Sequence, residues 1–432
     1  MSKRSLIRFV ESLFPQQLIA AYRKTKRFLL WKIQQVTYRR VEKNIKKKEG
    51  PLNVVFIVQN QSIWKLESLY RMMEKDSDFI PTVFICPNTS RGEDFSHETL
   101  IKTCEYFKSD NYHVVCAYDN HSGTLLDIKE LNPDIVFYTY PYGTNIPSQY
   151  FVFKLRRCLK CYVNYAFVSV PYEWAIASTF HGLMWKYFVE CEENLKLAQS
   201  YQPREMANAI VSGYPVFDEF LQCKEVGRDW KKSDRKYKRI IWAPHHTIEG
   251  QTGMLQFSTF LLYYNYMLEL AEKYKDTIQF AFKPHPMLKP ALYSHPQWGK
   301  EKTDAYYQRW MEGDNTSYVS GNYTDLFLSS DAMIHDCGSF IIEYLYTRKP
   351  VMFLSNFDRE GQSNEVGRKA YQCHYKGYCE GDIEHFVNSV VINSQDDLIE
   401  QRHNFYDTIL SPVNGKTSAE NILKIIKTEL RK

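Results

Sequence analysis

Short, uninterrupted apolar runs recur along this chain, and they limit its fold more than any other feature. Asn53 to Val58, Thr82 to Cys86, His113 to Ala117 and Asp134 to Tyr138 are such runs, with helix-like stretches at 64–74 and 95–108 between them. A strand buried on both faces is apolar without alternation, as in parallel sheets covered by helices on each side. Strand and helix in turn predict βαβ units, extended by 163–167, 187–191 and 209–211. A second series follows a charged linker, Gly227 to Arg239. Its strands are expected at 240–243, 278–282, 317–319, 332–334 and 351–354, with helices at 257–274 and 418–430. The chain therefore reads as α/β: two doubly wound, Rossmann-type domains, 51–226 and 227–432, facing a central cleft. No repeat of fixed period is present. In open parallel sheets ligands sit at the carboxyl ends of the strands.

Ahead of both series stands a basic arm, residues 1–50. It holds fourteen Lys and Arg against Glu11, Glu42 and Glu49, so a formal +5 overall divides into +11 for the arm and −6 for the remaining 382 residues. Leu13, Phe14, Leu18, Ile19, Tyr22, Leu29, Leu30, Ile33 and Val36 recur there at near-helical spacing. A basic amphipathic helix suits an anionic membrane surface. The alternatives are a helix packed on the body or a nucleic-acid contact, and no later segment resembles a nucleic-acid module. The apolar run 28–31 returns at once to Lys32, so neither a signal peptide nor a spanning helix is expected. That predicts a cytoplasmic protein, peripheral on the inner face of the cell membrane. The ten Cys are expected to be free, with Cys158, Cys161, Cys373 and Cys379 read as thiols rather than ligands.

Four segments place polar groups at expected strand ends. Lys283-Pro284-His285-Pro286 follows a buried strand, and its prolines fix the backbone around an imidazole and a cation that suit a phosphate. His335 to Ser339 leads through Gly338 into a helix whose first N–H groups offer an anion site, with Ser339 as N-cap and Glu343 one turn on. His245, His246 and Thr247 follow Ala243-Pro244. Two adjacent His should point apart, so donor-phosphate contacts are expected and no metal. The fourth segment, His181-Gly182 with Lys186, lies in the other domain and reads as a general base facing the donor site, or as a core histidine.

In this order the segments resemble the CDP-glycerol glycerophosphotransferase family, teichoic-acid and capsule polymer transferases of GT-B architecture. His181-Gly182 with Lys186 resembles the family's His-Gly-Thr-Pro-Leu-Lys. Ser212-Gly213-Tyr214-Pro215 with Asp218 resembles its Gly-x-Pro-Arg-x-Asp, Ala243-Pro244 its Tyr-Ala-Pro-Thr, and Lys283 to Pro286 its Arg-x-His-Pro. Asp325, Asp336, Ser339, Glu343 and Lys349-Pro350 follow its last motif. The departures are Leu183-Met184-Trp185 for Thr-Pro-Leu, His245 for Thr, Lys283 for Arg, Cys337-Gly338 for Tyr-Ser and Glu343 for Asp.

The resemblance implies transfer of a polyol-phosphate from a CDP-activated donor to a lipid-linked or polymeric glycan acceptor, with release of CMP. His181 and His285 would be catalytic. His245, His246, Thr247, Lys283, Asp336, Gly338, Ser339 and Glu343 would hold the donor, Glu343 its ribose. Gly182 and Lys186 would lie on the acceptor side. No cofactor and no metal are expected. A GT-B glycosyltransferase using a UDP- or CMP-sugar, a nucleotide-sugar epimerase and a non-catalytic scaffold of a capsule-assembly complex are the alternatives.

Overall fold

A computed structural model describes residues 15–89, 93–119, 123–141, 146–223, 226–248, 257–355 and 360–431. Two parallel sheets form its frame. The first contains β1 (Leu52–Val58), β2 (Phe79–Ile85), β3 (Val114–Cys116), β4 (Ile135–Tyr138), β5 (Leu159–Val163), β6 (Lys186–Val189) and β7 (Ala209–Val211), in the order β3-β2-β1-β4-β5-β6-β7. The second contains β8 (Lys238–Ala243), β9 (Ile278–Phe282), β10 (Thr316–Tyr318), β11 (Ala332–His335), β12 (Val351–Leu354) and β13 (Tyr375–Gly377), in the order β10-β9-β8-β11-β12-β13. Each order reverses beside its first strand, β1 or β8, the switch point where doubly wound sheets open a crevice. Apolar clusters on both faces of each sheet account for the uninterrupted strands.

Segments just beyond strand ends join the two units. The hydroxyl of Tyr214, after β7, donates to Glu343 Oε1 at 3.0 Å. Asn364, after β12, donates its backbone N–H to Ser169 O at 2.9 Å and its side-chain amide to Val168 O at 3.0 Å.

Three expectations change, and a fourth point bears on an alternative. The strand expected at 163–167 is β5, four residues earlier, because Lys160 interrupts the apolar pattern. Lys160 is fully buried, and its Nζ donates to the carbonyls of Leu155 at 2.8 Å and Val152 at 3.2 Å. The closing helix, Ser418–Leu430, leaves the second unit: Ile422, Leu423, Ile426 and Leu430 join the first sheet's core with Leu52 and Val54. Asp218 caps this helix, accepting the N–H groups of Ser418 at 2.8 Å and Ala419 at 2.9 Å. Cys104 and Cys116 are disulfide-bonded, since the helix Glu93–Ser109 lies beside β3 and brings their Cα atoms to 6.3 Å. Cys158, Cys161 and Cys373 are free and buried, and Cys379 is free and exposed.

The fourth point concerns the arm, whose last turns take the alternative of packing on the body. Helix α1 (Gln16–Ile45) ends inside the body, where Tyr38, Val41 and Ile45 enter the first core and Tyr38 donates to Leu183 O at 2.7 Å. Leu13 and Phe14 lie outside the described residues. Among those described, no helix is long and apolar enough to cross a membrane.

Candidate active site

β8 and β9 pair in register, Trp242 opposite Phe282, so the segments that follow them emerge side by side. The backbone continues the pairing for one more step, with His285 N–H donating to Pro244 O at 2.9 Å. This brings three imidazoles together. The ring of His285 lies 4.1 Å from that of His246 and 5.0 Å from that of His245, and His245 and His246 are 4.3 Å apart. One nitrogen of each ring falls within 4.8 Å of the other two, so the expectation that the adjacent pair diverges is corrected. β8 ends at Ala243, and the turn at Pro244 releases the next two residues from strand alternation.

The hydrogen bonds decide what the cluster can hold. His285 Nδ1 accepts the N–H of Met287 at 3.1 Å, so its neutral ring carries the proton on Nε2. Thr247 Oγ1 accepts from Phe257 and Ser258 N–H, leaving its own hydrogen for His245 Nδ1 at 3.0 Å. His245 is thus also an Nε2–H tautomer. Three converging imidazoles match a transition metal in number, and the Nε2–H groups of His245 and His285 also suit an anion. Lys283 stands at the same strand end, 5% exposed, with burial pushing its ammonium below the usual lysine range.

Asp336 belongs to the scaffold of this cluster. It is buried; Oδ1 accepts His245 N–H at 2.5 Å, and Oδ2 accepts Thr259 N–H at 2.5 Å and Thr259 Oγ1–H at 2.8 Å. It pins the His245 turn to the start of the helix Phe260–Lys273, and both carboxylate oxygens are used, so the expected donor contact is replaced by a clamp. Gly338 also has a local cause: a Cβ there would meet the Phe257 ring at 3.1 Å. Ser339 makes no side-chain cap bond, and its α-helix is one turn, Phe340–Glu343, continuing as 3-10. So short a helix has little macrodipole for the expected anion site.

Glu343 is 2% exposed, and both its oxygens accept tyrosine hydroxyls, Tyr214 at 3.0 Å and Tyr323 at 2.6 Å. Burial raises its carboxyl pKa, opposed by Lys65 and the two tyrosines. Glu343 therefore links the two units instead of standing open to a ribose. Lys65, from the loop after β1, has its Nζ 5.4 Å from the centroid of the Tyr323 ring, and Lys283 Nζ lies 6.0 Å from the same centroid. Cations from both units thus flank one tyrosine. Sequence reading missed Lys65 and Tyr323, because neither stands beside a His-marked strand end, and read Tyr214 only as part of a turn.

The His181 segment belongs elsewhere. His181 is fully buried against Tyr162 and Tyr187 of the first sheet, with ring centroids at 5.3 and 4.7 Å. Its Nδ1 accepts Ser178 N–H at 3.1 Å and faces Ser178 Oγ at 2.8 Å, closing a capping box. Burial depresses its pKa to about 3. Held this way, with Nδ1 engaged by Ser178 and Nε2 buried without a partner among the described residues, His181 matches the core-histidine reading of the sequence rather than the general-base one. Gly182 leaves room for Glu205, whose Cβ would lie 3.0 Å from a Cβ at that position. Lys186 opens β6, at the amino end of the strand, and pairs with Glu429 at 2.9 Å. Both of these expected acceptor-side residues stand at or before that strand's amino end.

Two doubly wound sheets with a basic, histidine-lined cluster at the carboxyl ends of the second define a GT-B-like α/β fold. The family described as CDP-Glycerol:Poly(glycerophosphate) glycerophosphotransferase matches residues 184–427, and the chain belongs to it. Its enzymatic class, a CDP-glycerol glycerophosphotransferase-type transferase, follows. The match begins three residues after His181. No curated protein matches the chain. Among solved structures, a histidine-to-alanine variant of the wall teichoic acid polymerase TagF superposes with a TM-score of 0.56 at 13% identity, covering 95% of this chain and 99% of that one. A TagF structure soaked with CDPG gives 0.54 at 14% identity, over 95% and 98%. The S. aureus MnaA–UDP structure gives 0.54 at 14% identity, over 88% of this chain and 97% of that one. At these identities the likeness is one of fold.

Proposed function

We propose that the protein transfers a polyol-phosphate, glycerol-phosphate or a close relative, from a CDP-activated donor to a hydroxyl of a lipid-linked or polymeric acceptor in teichoic-acid or capsule synthesis, releasing CMP. Family membership supports the donor class. The observation that carries the chemistry is the convergence of His245, His246, His285 and Lys283 at the ends of β8 and β9.

The acceptor oxygen attacks the donor's β-phosphorus as the bond to the oxygen of CMP breaks, and CMP leaves with that electron pair. Charge on the equatorial oxygens is met by Nε2–H of His245 and His285 and by the Lys283 ammonium. His181 being closed off, the hydroxyl proton goes to the cluster, and we assign it to His246. Helix α1 would hold the enzyme on the anionic inner face of the membrane, where lipid-linked acceptors lie.

The test follows CMP release from CDP-glycerol with an oligomeric glycerol-phosphate acceptor. The parent should release CMP, and His285→Ala should lose about 10²- to 10³-fold in kcat. Turnover of UDP-sugars with CDP-glycerol left intact would instead mean a glycosyltransferase.

A further inference from the structure

Between α1 and the body lies a cavity of about 700 Å³ that shares no lining residue with the histidine cluster. Its wall carries Arg23, Lys24, Lys26 and Arg27, and among the described residues Arg27 is paired with Glu173 at 3.2 Å and with Glu205 at 3.5 Å. Phe153 and Tyr201 also line it, 44% and 36% exposed. Either side of Glu173, the exposed rings of Tyr172 and Trp174 stack with centroids 5.6 Å apart.

The outer face of α1 is apolar and bare. Leu18, Tyr22, Leu29, Ile33 and Val36 are 53–65% exposed, and at 100° per residue they fall within roughly 60° of arc. Such a stripe, flanked by Lys26 and Lys32 with Arg40 at its C-terminal end, is what a helix lying in a bilayer interface presents. Exposed Tyr and Trp mark the same depth, where headgroups lie.

We infer that this cavity binds the phosphate headgroup of an anionic membrane lipid, so that α1 is a lipid-recognising element as well as an apolar float. The inference rests on the membrane reading above. The four cations supply the charge complementarity, the apolar stripe sets the depth, and the aromatic rim accommodates the glycerol and first acyl carbons.

The test uses the full chain and vesicles of phosphatidylcholine with or without phosphatidylglycerol. The parent should sediment with phosphatidylglycerol vesicles at least tenfold more tightly than with phosphatidylcholine alone. Ala20→Trp fills the cavity without changing charge and should remove most of that preference. Arg23→Gln with Lys24→Gln should weaken binding about twenty-five-fold, at roughly fivefold per cation. Ile33→Ser with Leu29→Ser should lower binding to both vesicles while keeping their ratio. An Ala20→Trp protein with an unchanged preference would overturn the inference. Should the parent bind no vesicle, the membrane reading fails, and the cavity is judged alone with dihexanoylphosphatidylglycerol below its micelle concentration. A thermal shift that Ala20→Trp abolishes supports the headgroup site. An equal shift from inorganic phosphate, or none from the lipid, counts against it.

Discussion

The two segments whose histidines are expected to be catalytic, at His181 and at His285, differ in burial, partners and place in the fold. His181 precedes a strand, packs between tyrosine rings, and spends Nδ1 on a one-turn helix cap. His285 follows a strand, is half-buried, and shares its surroundings with two further imidazoles and a lysine. The lesson is that the end of the strand a histidine occupies says more about its chemistry than the residue beside it. Parallel strands aim backbone and side chains at ligands from their carboxyl ends, while residues leading into them serve packing and caps.

The largest expected contrast is kinetic. His285→Ala should cost about 10²- to 10³-fold in kcat with folding intact, whereas His181→Gln should keep kcat within about threefold. Comparable losses in steady-state assays of both would erase the distinction drawn here.

Stability should show the reverse order. His181→Ala opens a cavity beneath tyrosines and should lower unfolding free energy by about 3 kcal/mol in urea denaturation, with His285→Ala within about 1 kcal/mol of the parent. The acid limb carries the same signature. A pKa held down at about 3 from 6.5 gives stability that is complete above pH 6.5 and lost as pH falls towards 3. His181→Phe should therefore be flatter than the parent across that window.

Lys160 extends the comparison to a buried cation of the first unit. Burial lowers its pKa from 10.5 to about 8, so its contribution is complete above pH 10.5 and is lost as pH falls through 8. Measured against Lys160→Met, the parent should gain about 3 kcal/mol between pH 7 and 10.5, since a pKa unit is worth about 1.4 kcal/mol. A pH-independent difference would mean that the amine stays charged.

The smallest effect is expected at the link between the units. Tyr214→Phe leaves Glu343 one hydrogen bond short and should cost about 1 kcal/mol, with a changed nucleotide affinity reporting how far the link restrains the cleft. Calorimetric titration with CDP would read that change directly.

The alternation of apolar runs carried the fold, because strands buried on both faces leave a pattern few other structures produce. β5 escaped that pattern through Lys160, whose ammonium is satisfied by carbonyls no local window reveals. The closing helix showed its amphipathic face but not which sheet it covers. At the site, Lys283-Pro284-His285-Pro286 was legible because prolines and a strand end mark it. Asp336 and Glu343 read in the sequence as donor-binding residues, Glu343 on the ribose. Their hydrogen bonds to Thr259, Tyr214 and Tyr323 come from distant parts of the chain and turn them into braces. The disulfide Cys104–Cys116 likewise depends on a helix lying beside β3.

The central claim is that the cleft beside β8 and β9 is a cytidine-nucleotide donor site built on the His245–His246–His285 cluster. Thermal unfolding with millimolar CDP-glycerol, CDP-ribitol, CMP, UDP and a UDP-sugar, run on the parent, His285→Ala and His181→Gln, tests it most directly. A ligand at about a hundred times its dissociation constant adds about 2.7 kcal/mol, a shift easily resolved. The account predicts protection by cytidine nucleotides in the parent and in His181→Gln, and its loss or strong reduction in His285→Ala. Protection that survives in His285→Ala and disappears in His181→Gln, or that comes from uridine nucleotides alone, would contradict it.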